Sequence, residues 1–225
     1  MIECIKPGTL PRGKKAVIAL TTWKKRINTV GLTIFNLMCM CGSEFHIVLT
    51  LAEEEFPRKE RELPWDLTLM NRAGVFEILW CKKNYRSFKK WLFCSARYPT
   101  VPIISADDDC IYTCNYAAEL YNAWLKMKNR IYTFNSHKYT GFQHGPTTLY
   151  PPHCFGTYGV SNLNDTILST NHDDVYYGLL ARKHNIQIFN IDDKIRYVFH
   201  DCTDALSERK GYNIVQAVNI IMREI

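Results

Sequence analysis

The feature that most restricts the fold of this chain is a regular alternation of short apolar runs with segments of helical spacing. The apolar runs of the first half lie at 16–20, 45–51, 75–80 and 101–106. Runs of this length, bounded by polar or turn-forming residues, indicate buried strands. Segments 27–40 and 116–128 carry apolar residues at the spacing of an amphipathic helix. Strands alternating with helices predict an α/β fold, with a mostly parallel sheet and helices on both faces.

The second half continues this pattern less regularly. It predicts a strand at 130–134, a helix at 173–184, strands at 186–190 and 196–199, and a final helix at 213–222. Segment 141–159 is rich in glycine, proline and aromatic residues, which is typical of an ordered loop over a site. Ser87 has the side chain of an N-cap, so a helix is expected to begin beside it. Segment 53–65 reads as a charged connection with a short helix that ends before Pro64.

Three consecutive acids, Asp107 to Asp109, stand where the apolar run 101–106 ends. The carboxyl end of a strand is where α/β sheets bind ligands. Three neighbouring carboxylates repel one another unless a cation offsets their charge. Oxygen ligands of this kind suit a hard divalent ion such as Mg²⁺ or Mn²⁺. The alternative is an acidic turn without a ligand, because aspartate also favours turns.

Composition narrows the class of protein. The chain has 225 residues, enough for one domain, and 47% of them are hydrophobic. Its nine cysteines form no CxxC pair, so we expect reduced thiols in a cytoplasmic protein. We find no signal-peptide core and no apolar run long enough to cross a membrane, which predicts a soluble protein. The net charge of +6 suits phosphates or an anionic membrane surface, and no motif points to nucleic acid.

Five strings carry a resemblance to a known family: ALTTWKKRI, IVLTLAEEEFP, ISADDDCIYT, LYPP and HDDVYYGLLA. They resemble bacterial glycosyltransferases of the GT-A fold, especially a family-2-like group of capsule and lipopolysaccharide synthesis. The resemblance runs from about residue 16 to the C-terminus. It implies a single GT-A domain over 1–225, with a nucleotide-sugar-binding half at about 1–114 and an acceptor-binding half at about 115–225.

The resemblance also implies a donor site with a divalent cation, Mn²⁺ or Mg²⁺, and a nucleoside-diphosphate sugar. The residues expected to bind the nucleotide sugar are Thr21, Thr22, Arg26, Lys89, Lys90, Asp107 and Asp108. The residues expected to bind the metal are Asp107, Asp109 and His200. The metal would stabilise the departing nucleoside diphosphate as the glycosidic bond breaks.

Asp173 and Asp174 fall where such enzymes keep an acid at the start of a helix under the acceptor site. One of them is expected to be the general base that takes the proton of the acceptor hydroxyl, in an inverting displacement. The alternative is that both acids only complement the helix dipole. The expected acceptor is a glycan, free or on a lipid carrier, which would bring the protein to the inner face of the membrane.

Two other functions remain open. A nucleotidyltransferase acting on sugar phosphates shares this type of sheet and the acids, but generally has a glycine-rich loop after the first strand. Segment 21–26 here contains no glycine. The other alternative is a non-catalytic sugar-binding protein of the same fold.

Overall fold

The computed structural model of the protein describes residues 5–134, 145–156, 163–200 and 213–225. Its strands are β1 (Ala16–Thr21), β2 (Phe45–Ala52), β3 (Phe76–Cys81), β4 (Ile103–Ser105), β5 (Cys110–Tyr112), β6 (Ile131–Thr133), β7 (Thr148–Tyr150), β8 (Ile188–Asn190) and β9 (Tyr197–Phe199). Its helices are α1 (Val30–Cys41), α2 (Trp65–Arg72), α3 (Lys89–Arg97), α4 (Tyr116–Lys126), α5 (Asp165–Thr170), α6 (Asp173–Lys183) and α7 (Ile214–Glu224).

The described strands form a central sheet and a small ribbon. The sheet has the order β3-β2-β1-β4-β7-β6-β8, and β5 pairs with β9 in the ribbon. Strands β1 to β4 are parallel to one another, whereas β7 runs antiparallel to both of its neighbours. Strands β6 and β8 are parallel. The predicted mostly parallel α/β sheet is therefore confirmed.

Helices cover both faces of this sheet because successive side chains of a strand point to opposite sides. On β1, Ile18 and Leu20 pack into one core, with the buried faces of α1 and α4. Val17 and Ala19 pack into the other core, with α3 and α6. Burial on both faces explains why the run 16–20 is continuously apolar.

Strand register brings two loops together at one edge of the sheet. Ala19 of β1 lies opposite Ser105 of β4, and the two strands run parallel. The residues that follow each strand, Thr22 and the aspartate triplet, therefore emerge side by side. The ribbon adds a third segment, because the backbone N–H of His200 donates to the carbonyl of Asp109 (2.9 Å). This edge holds the candidate site.

Several local features differ from the sequence prediction, among them β5 and α5, which were not predicted. Segment 141–159 was expected to be a loop, but its described part contains β7. Helix α2 begins directly after Pro64, which suits the start of a helix, and was not predicted. Ser87 is not the N-cap of α3: its Oγ donates to the carbonyl of Asn171 (3.3 Å), and a 3₁₀ turn leads into the helix.

The described ranges contain no helix with the length and apolar character needed to cross a membrane. The seven cysteines within these ranges are free thiols, four of them buried.

Candidate functional site

The aspartate triplet contacts a buried arginine from the loop after β1. Arg26 donates through Nη1 to Asp108 (3.0 Å) and to Asp109 (2.8 Å). Thr22 adds a short hydrogen bond from Oγ1 to the other oxygen of Asp108 (2.5 Å). All of these side chains are buried. The loop predicted to line the nucleotide pocket therefore contacts the acids that follow β4 directly.

A buried lysine joins the triplet to helix α6. Lys90 lies in the first turn of α3, and its Nζ lies 2.7 Å from Asp107 and 3.1 Å from Asp173. Burial opposes the charge of this ammonium, but the two carboxylates raise the pKa of Lys90 well above its ordinary value. Lys90 is therefore a charged bridge between the acid predicted for the donor side and the acid predicted for the acceptor side.

Two further side chains hold the backbone of the triplet in place. The hydroxyl of Tyr112 accepts from the N–H of Asp107 (3.0 Å) and donates to the carbonyl of Pro146 (3.1 Å). The hydroxyl of Thr33, on α1, lies 2.9 Å from the carbonyl of Asp108 and 3.0 Å from that of Cys110. These two hydroxyls thus fix the backbone of the triplet.

Negative charge exceeds positive charge in this cluster. Four carboxylates contact two cations, Arg26 and Lys90. Burial, together with repulsion from Asp107 and Asp108, raises the pKa of Asp109 to about 6, although Arg26 opposes the shift. Burial also raises the pKa of Asp173, despite the nearby ammonium. The site is therefore suited to receive additional positive charge.

The residues predicted to bind a metal do not converge in this arrangement. Among the described residues, no group of three or more histidine, cysteine or acidic side chains is arranged to hold a metal ion. The carboxylates of the triplet instead pair with Arg26 and Lys90. The donor chemistry and the excess negative charge still fit a hard divalent cation. Such a cation would require at least one acid, Asp107 or Asp109, to leave its protein partner.

Four other predicted residues have contacts of their own. Thr21 donates to the carbonyl of Thr50 (2.7 Å) and so connects β1 with β2. His200 contacts the hydroxyl of Thr33 through Nε2 (2.9 Å). Asp174 accepts from the N–H of Val175 (2.9 Å) in the first turn of α6.

The fourth is Lys89, which is turned away from the triplet. Its Nζ contacts Glu55 (3.0 Å), Asn84 (2.9 Å) and the carbonyl of Thr22 (3.4 Å). The sequence left the choice between Lys89 and Lys90 open, and only Lys90 contacts the predicted donor acids in this structure. The binding roles of all these residues stay predictions.

The sequence prediction missed Thr33, Tyr112, Glu55 and Asn84. Glu55 belongs to an acidic stretch after β2, so its place at the carboxyl edge of the sheet was a usable signal. Thr33 contacts carbonyls 75 and 77 residues away. Tyr112 contacts one backbone group 5 residues away and another 34 residues away. No local pattern marks such contacts.

No protein-family model matches the chain, and no curated protein matches it. Solved structures do match it. One is 4-diphosphocytidyl-2C-methyl-D-erythritol synthase, with a TM-score of 0.54 and 9% identity over 84% of this chain and 95% of that chain. Another is GalNAc-T7 with UDP, GalNAc and Mn²⁺, with a TM-score of 0.44 and 13% identity.

The GalNAc-T7 match covers 63% of this chain and 26% of that chain, so this chain spans only about a quarter of the length of GalNAc-T7. At these identities, structural similarity is evidence about the fold alone. That evidence comes from the synthase match. Together with the strand order, it confirms the predicted α/β fold of the GT-A type. The finer assignment to capsule and lipopolysaccharide synthesis has no match behind it and stays a prediction.

Proposed function

We propose that the protein transfers a sugar from a nucleoside-diphosphate sugar to a hydroxyl of a glycan, with inversion at the anomeric carbon. The observation that carries the proposal is the position of Lys90, within hydrogen-bond distance of both Asp107 and Asp173. Sequence resemblance assigned the first acid to the donor and the second to the acceptor. A transferase needs these two groups on opposite sides of one reacting carbon, within reach of each other.

On the donor side, the proposal assigns the diphosphate to the edge formed by Arg26, Lys90 and the aspartate triplet. A diphosphate is itself anionic and would be repelled by the excess of carboxylates. A divalent cation held by Asp107 and Asp109 would remove that repulsion and supply positive charge to the leaving group. Thr22 and Arg26 would then orient the nucleotide from the β1 loop.

On the acceptor side, the proposal assigns the general base to Asp173 rather than Asp174. Asp173 is buried beside Lys90, and burial raises its pKa. A carboxylate with a raised pKa is a stronger base near neutral pH. The acceptor oxygen would bond to the anomeric carbon while the bond from that carbon to the diphosphate oxygen breaks. The proton of the acceptor hydroxyl would pass to Asp173.

The proposal is tested by a thermal-shift panel of nucleotides and nucleotide sugars, with and without Mn²⁺. We expect one donor class to raise the melting temperature when Mn²⁺ is present, because a ligand that binds only the folded state stabilises it. The stabilising donor is then incubated with candidate acceptors, and release of the nucleoside diphosphate is measured. If no nucleotide sugar stabilises the protein and none is turned over, the proposal is wrong.

The nucleotidyltransferase alternative is kept because the synthase match covers most of both chains. It predicts a different set of products. A nucleotidyltransferase would consume a nucleoside triphosphate and a sugar phosphate and release pyrophosphate, whereas a glycosyltransferase releases a nucleoside diphosphate. Measuring both products with the same protein sample separates the two functions. The absence of glycine from segment 21–26 favours the glycosyltransferase.

The wider setting of the proposal comes from sequence resemblance alone. The acceptor would be a growing surface polysaccharide, free or lipid-linked, and the protein would work in the cytoplasm, at the inner face of the membrane when the acceptor is lipid-linked. Co-sedimentation with vesicles of anionic lipid measures the membrane contact directly.

A further inference from the structure

Neighbouring lysines at the start of α3 have different hydrogen-bonding capacity. Lys89 has three acceptors for its three N–H groups, and its side chain is 1% exposed. Within the described part of the chain, Lys90 has two acceptors, the carboxylates of Asp107 and Asp173. Lys90 therefore keeps one donor for an incoming group, whereas Lys89 has none.

The incoming group would reach Lys90 from the side of Asp107. That acid is the most accessible of the triplet, with 30% of its side chain exposed against 11% for Asp108 and for Asp109. The backbone of Gly145 lies against the same ion pair: a methyl group added there would be 3.6 Å from both Asp107 Oδ2 and Lys90 Nζ. A glycine at this position adds no side chain of its own over the ion pair.

We infer that Lys90 is a positioning residue that keeps Asp107 from a divalent cation until a diphosphate binds its ammonium. The inference rests on the proposed function. In the ligand-free protein, the ammonium neutralises Asp107 and so lowers its attraction for a cation. A phosphate oxygen that accepts the third N–H of Lys90 shares the positive charge of the ammonium with Asp107, so that carboxylate is less fully neutralised and attracts a cation more strongly. Arg26 continues to neutralise Asp108 and Asp109 throughout.

This arrangement makes the cation and the diphosphate bind cooperatively. Because coupling between two sites is reciprocal, the diphosphate strengthens cation binding by the same factor as the cation strengthens diphosphate binding. The arrangement also explains why the acids predicted to bind a metal are each paired with a protein cation in this structure. Asp173 stays on Lys90 when the diphosphate binds, so the acceptor-side acid keeps its position.

The test is a titration of the full chain with Mn²⁺, with free Mn²⁺ measured by electron paramagnetic resonance. It is run without and with inorganic pyrophosphate, and the Mn²⁺ complexed by pyrophosphate alone is subtracted from a protein-free titration. The variants are Lys90→Met, which removes the ammonium, and Lys89→Met, a matched control from the same helix turn. A double variant, Lys90→Met with Asp173→Asn, removes one positive and one negative charge. It can be measured in place of Lys90→Met if that single variant does not fold.

We expect Lys90→Met to bind Mn²⁺ about tenfold more tightly than the unmodified protein when pyrophosphate is absent. The double variant should behave in the same way, and Lys89→Met should stay within about twofold of the unmodified protein. In the unmodified protein, saturating pyrophosphate should tighten Mn²⁺ binding by about tenfold, and this gain should shrink in both Lys90 variants.

The inference is overturned if the folded Lys90 variants bind Mn²⁺ no more tightly than the unmodified protein, or if pyrophosphate has no effect on Mn²⁺ binding. Folding is checked by circular dichroism melting. Failure of the proposed function gives a different result. In that case pyrophosphate and Mn²⁺ would still bind cooperatively, but no nucleotide sugar would stabilise the protein or be turned over.

Discussion

Helix α3 has a charged cluster at each end, and the ratio of acids to their partners differs between the two clusters. At its first turn, Lys90 belongs to the site cluster, where four carboxylates contact two cations. At its last turn, Arg97 and Tyr98 contact a single acid, Glu77 of β3. His46 of β2 also contacts that acid (2.7 Å). One end of the helix has an excess of acids, and the other has an excess of partners for one acid.

The pKa shifts of the two clusters follow from this difference. Burial, with repulsion from the neighbouring acids, raises the pKa of Asp109 to about 6. Burial also acts on Glu77, but hydrogen bonds from His46 and Tyr98 hold the pKa of Glu77 below its ordinary value. A carboxylate with enough hydrogen-bond donors stabilises a fold, whereas carboxylates that repel one another are typical of binding and catalytic sites. The comparison therefore contrasts a structural cluster with the candidate site cluster at the two ends of one helix.

The largest effect is expected from Asp173→Asn. If Asp173 is the general base, transfer should fall by about 10²–10⁴-fold, because an amide cannot accept the acceptor proton. Donor binding should persist, since the substitution keeps the size of the side chain. The measurement is nucleoside diphosphate release under saturating donor, together with the thermal shift caused by the donor.

Asp174→Asn is the matched control for that substitution. Asp174 contacts the backbone N–H of its own helix, so turnover should change by less than about tenfold. A larger loss in Asp174→Asn than in Asp173→Asn would assign the base to Asp174. Unchanged turnover in both variants would mean that neither acid is the general base.

The next-largest effect is a difference in the free energy of unfolding between Arg26→Met in the site cluster and Arg97→Met in the Glu77 cluster. Arg26→Met leaves Asp108 and Asp109 buried without their cation, so the free energy of unfolding should fall by about 3–5 kcal/mol. Arg97→Met removes a partner 3.6 Å from Glu77 that is 31% exposed, and should cost less than about 1 kcal/mol. Urea unfolding of both variants at pH 7 checks the difference. Equal losses would contradict the distinction between a buried site cluster and a half-exposed structural one.

The sequence predicts the sheet better than it predicts the site. Continuous apolar runs such as 16–20 have one physical explanation, burial on both faces, and so their strands could be located. Strand β7 was missed because it is short and lies within a segment rich in glycine and proline. Helix α2 was missed because its Trp65 and Leu69 are exposed, which weakens the apolar pattern of its buried face.

The sequence predicted that the β1 loop and the aspartate triplet lie at one edge of the sheet, but it did not predict how their side chains pair. The position of the aspartate triplet after a strand predicted where a ligand would bind. Nothing in the sequence showed that Arg26 would form ion pairs with two of these acids, or that Lys90 rather than Lys89 would contact the third. Those choices depend on the register of β1 against β4 and on the direction of two adjacent helical side chains, which only the packed structure fixes.

The site cluster also predicts a dependence of stability on pH. The pKa of Asp109 is about 6 in the folded protein, above its ordinary value of about 3.9. Stability from this group is therefore fully present below about pH 4 and is lost as the pH rises through about 6. Asp109→Asn removes this loss, so at pH 7 to 8 it should be more stable than the unmodified protein by about 2 kcal/mol.

Urea unfolding between pH 4 and pH 8 checks that prediction. The advantage of Asp109→Asn should shrink toward zero as the pH falls to 4, where the carboxyl is protonated in the folded state and about half protonated in the unfolded state. An advantage that is constant across this range would mean that Asp109 does not titrate as its surroundings require.

The smallest effect is expected from Glu77→Gln, and it has the opposite sign. The pKa of Glu77 is lowered in the folded protein, so its contribution to stability is present above its ordinary pKa of about 4.3 and is lost as the pH falls through the folded value. Because the acid is half-exposed, Glu77→Gln should cost only about 1 kcal/mol at pH 7, and less below pH 4. Turnover and Mn²⁺ binding should not change, since Glu77 lies at the other end of α3 from the site. A change in either would show that the two clusters communicate through that helix, and the separation of structural from functional acids would then be wrong.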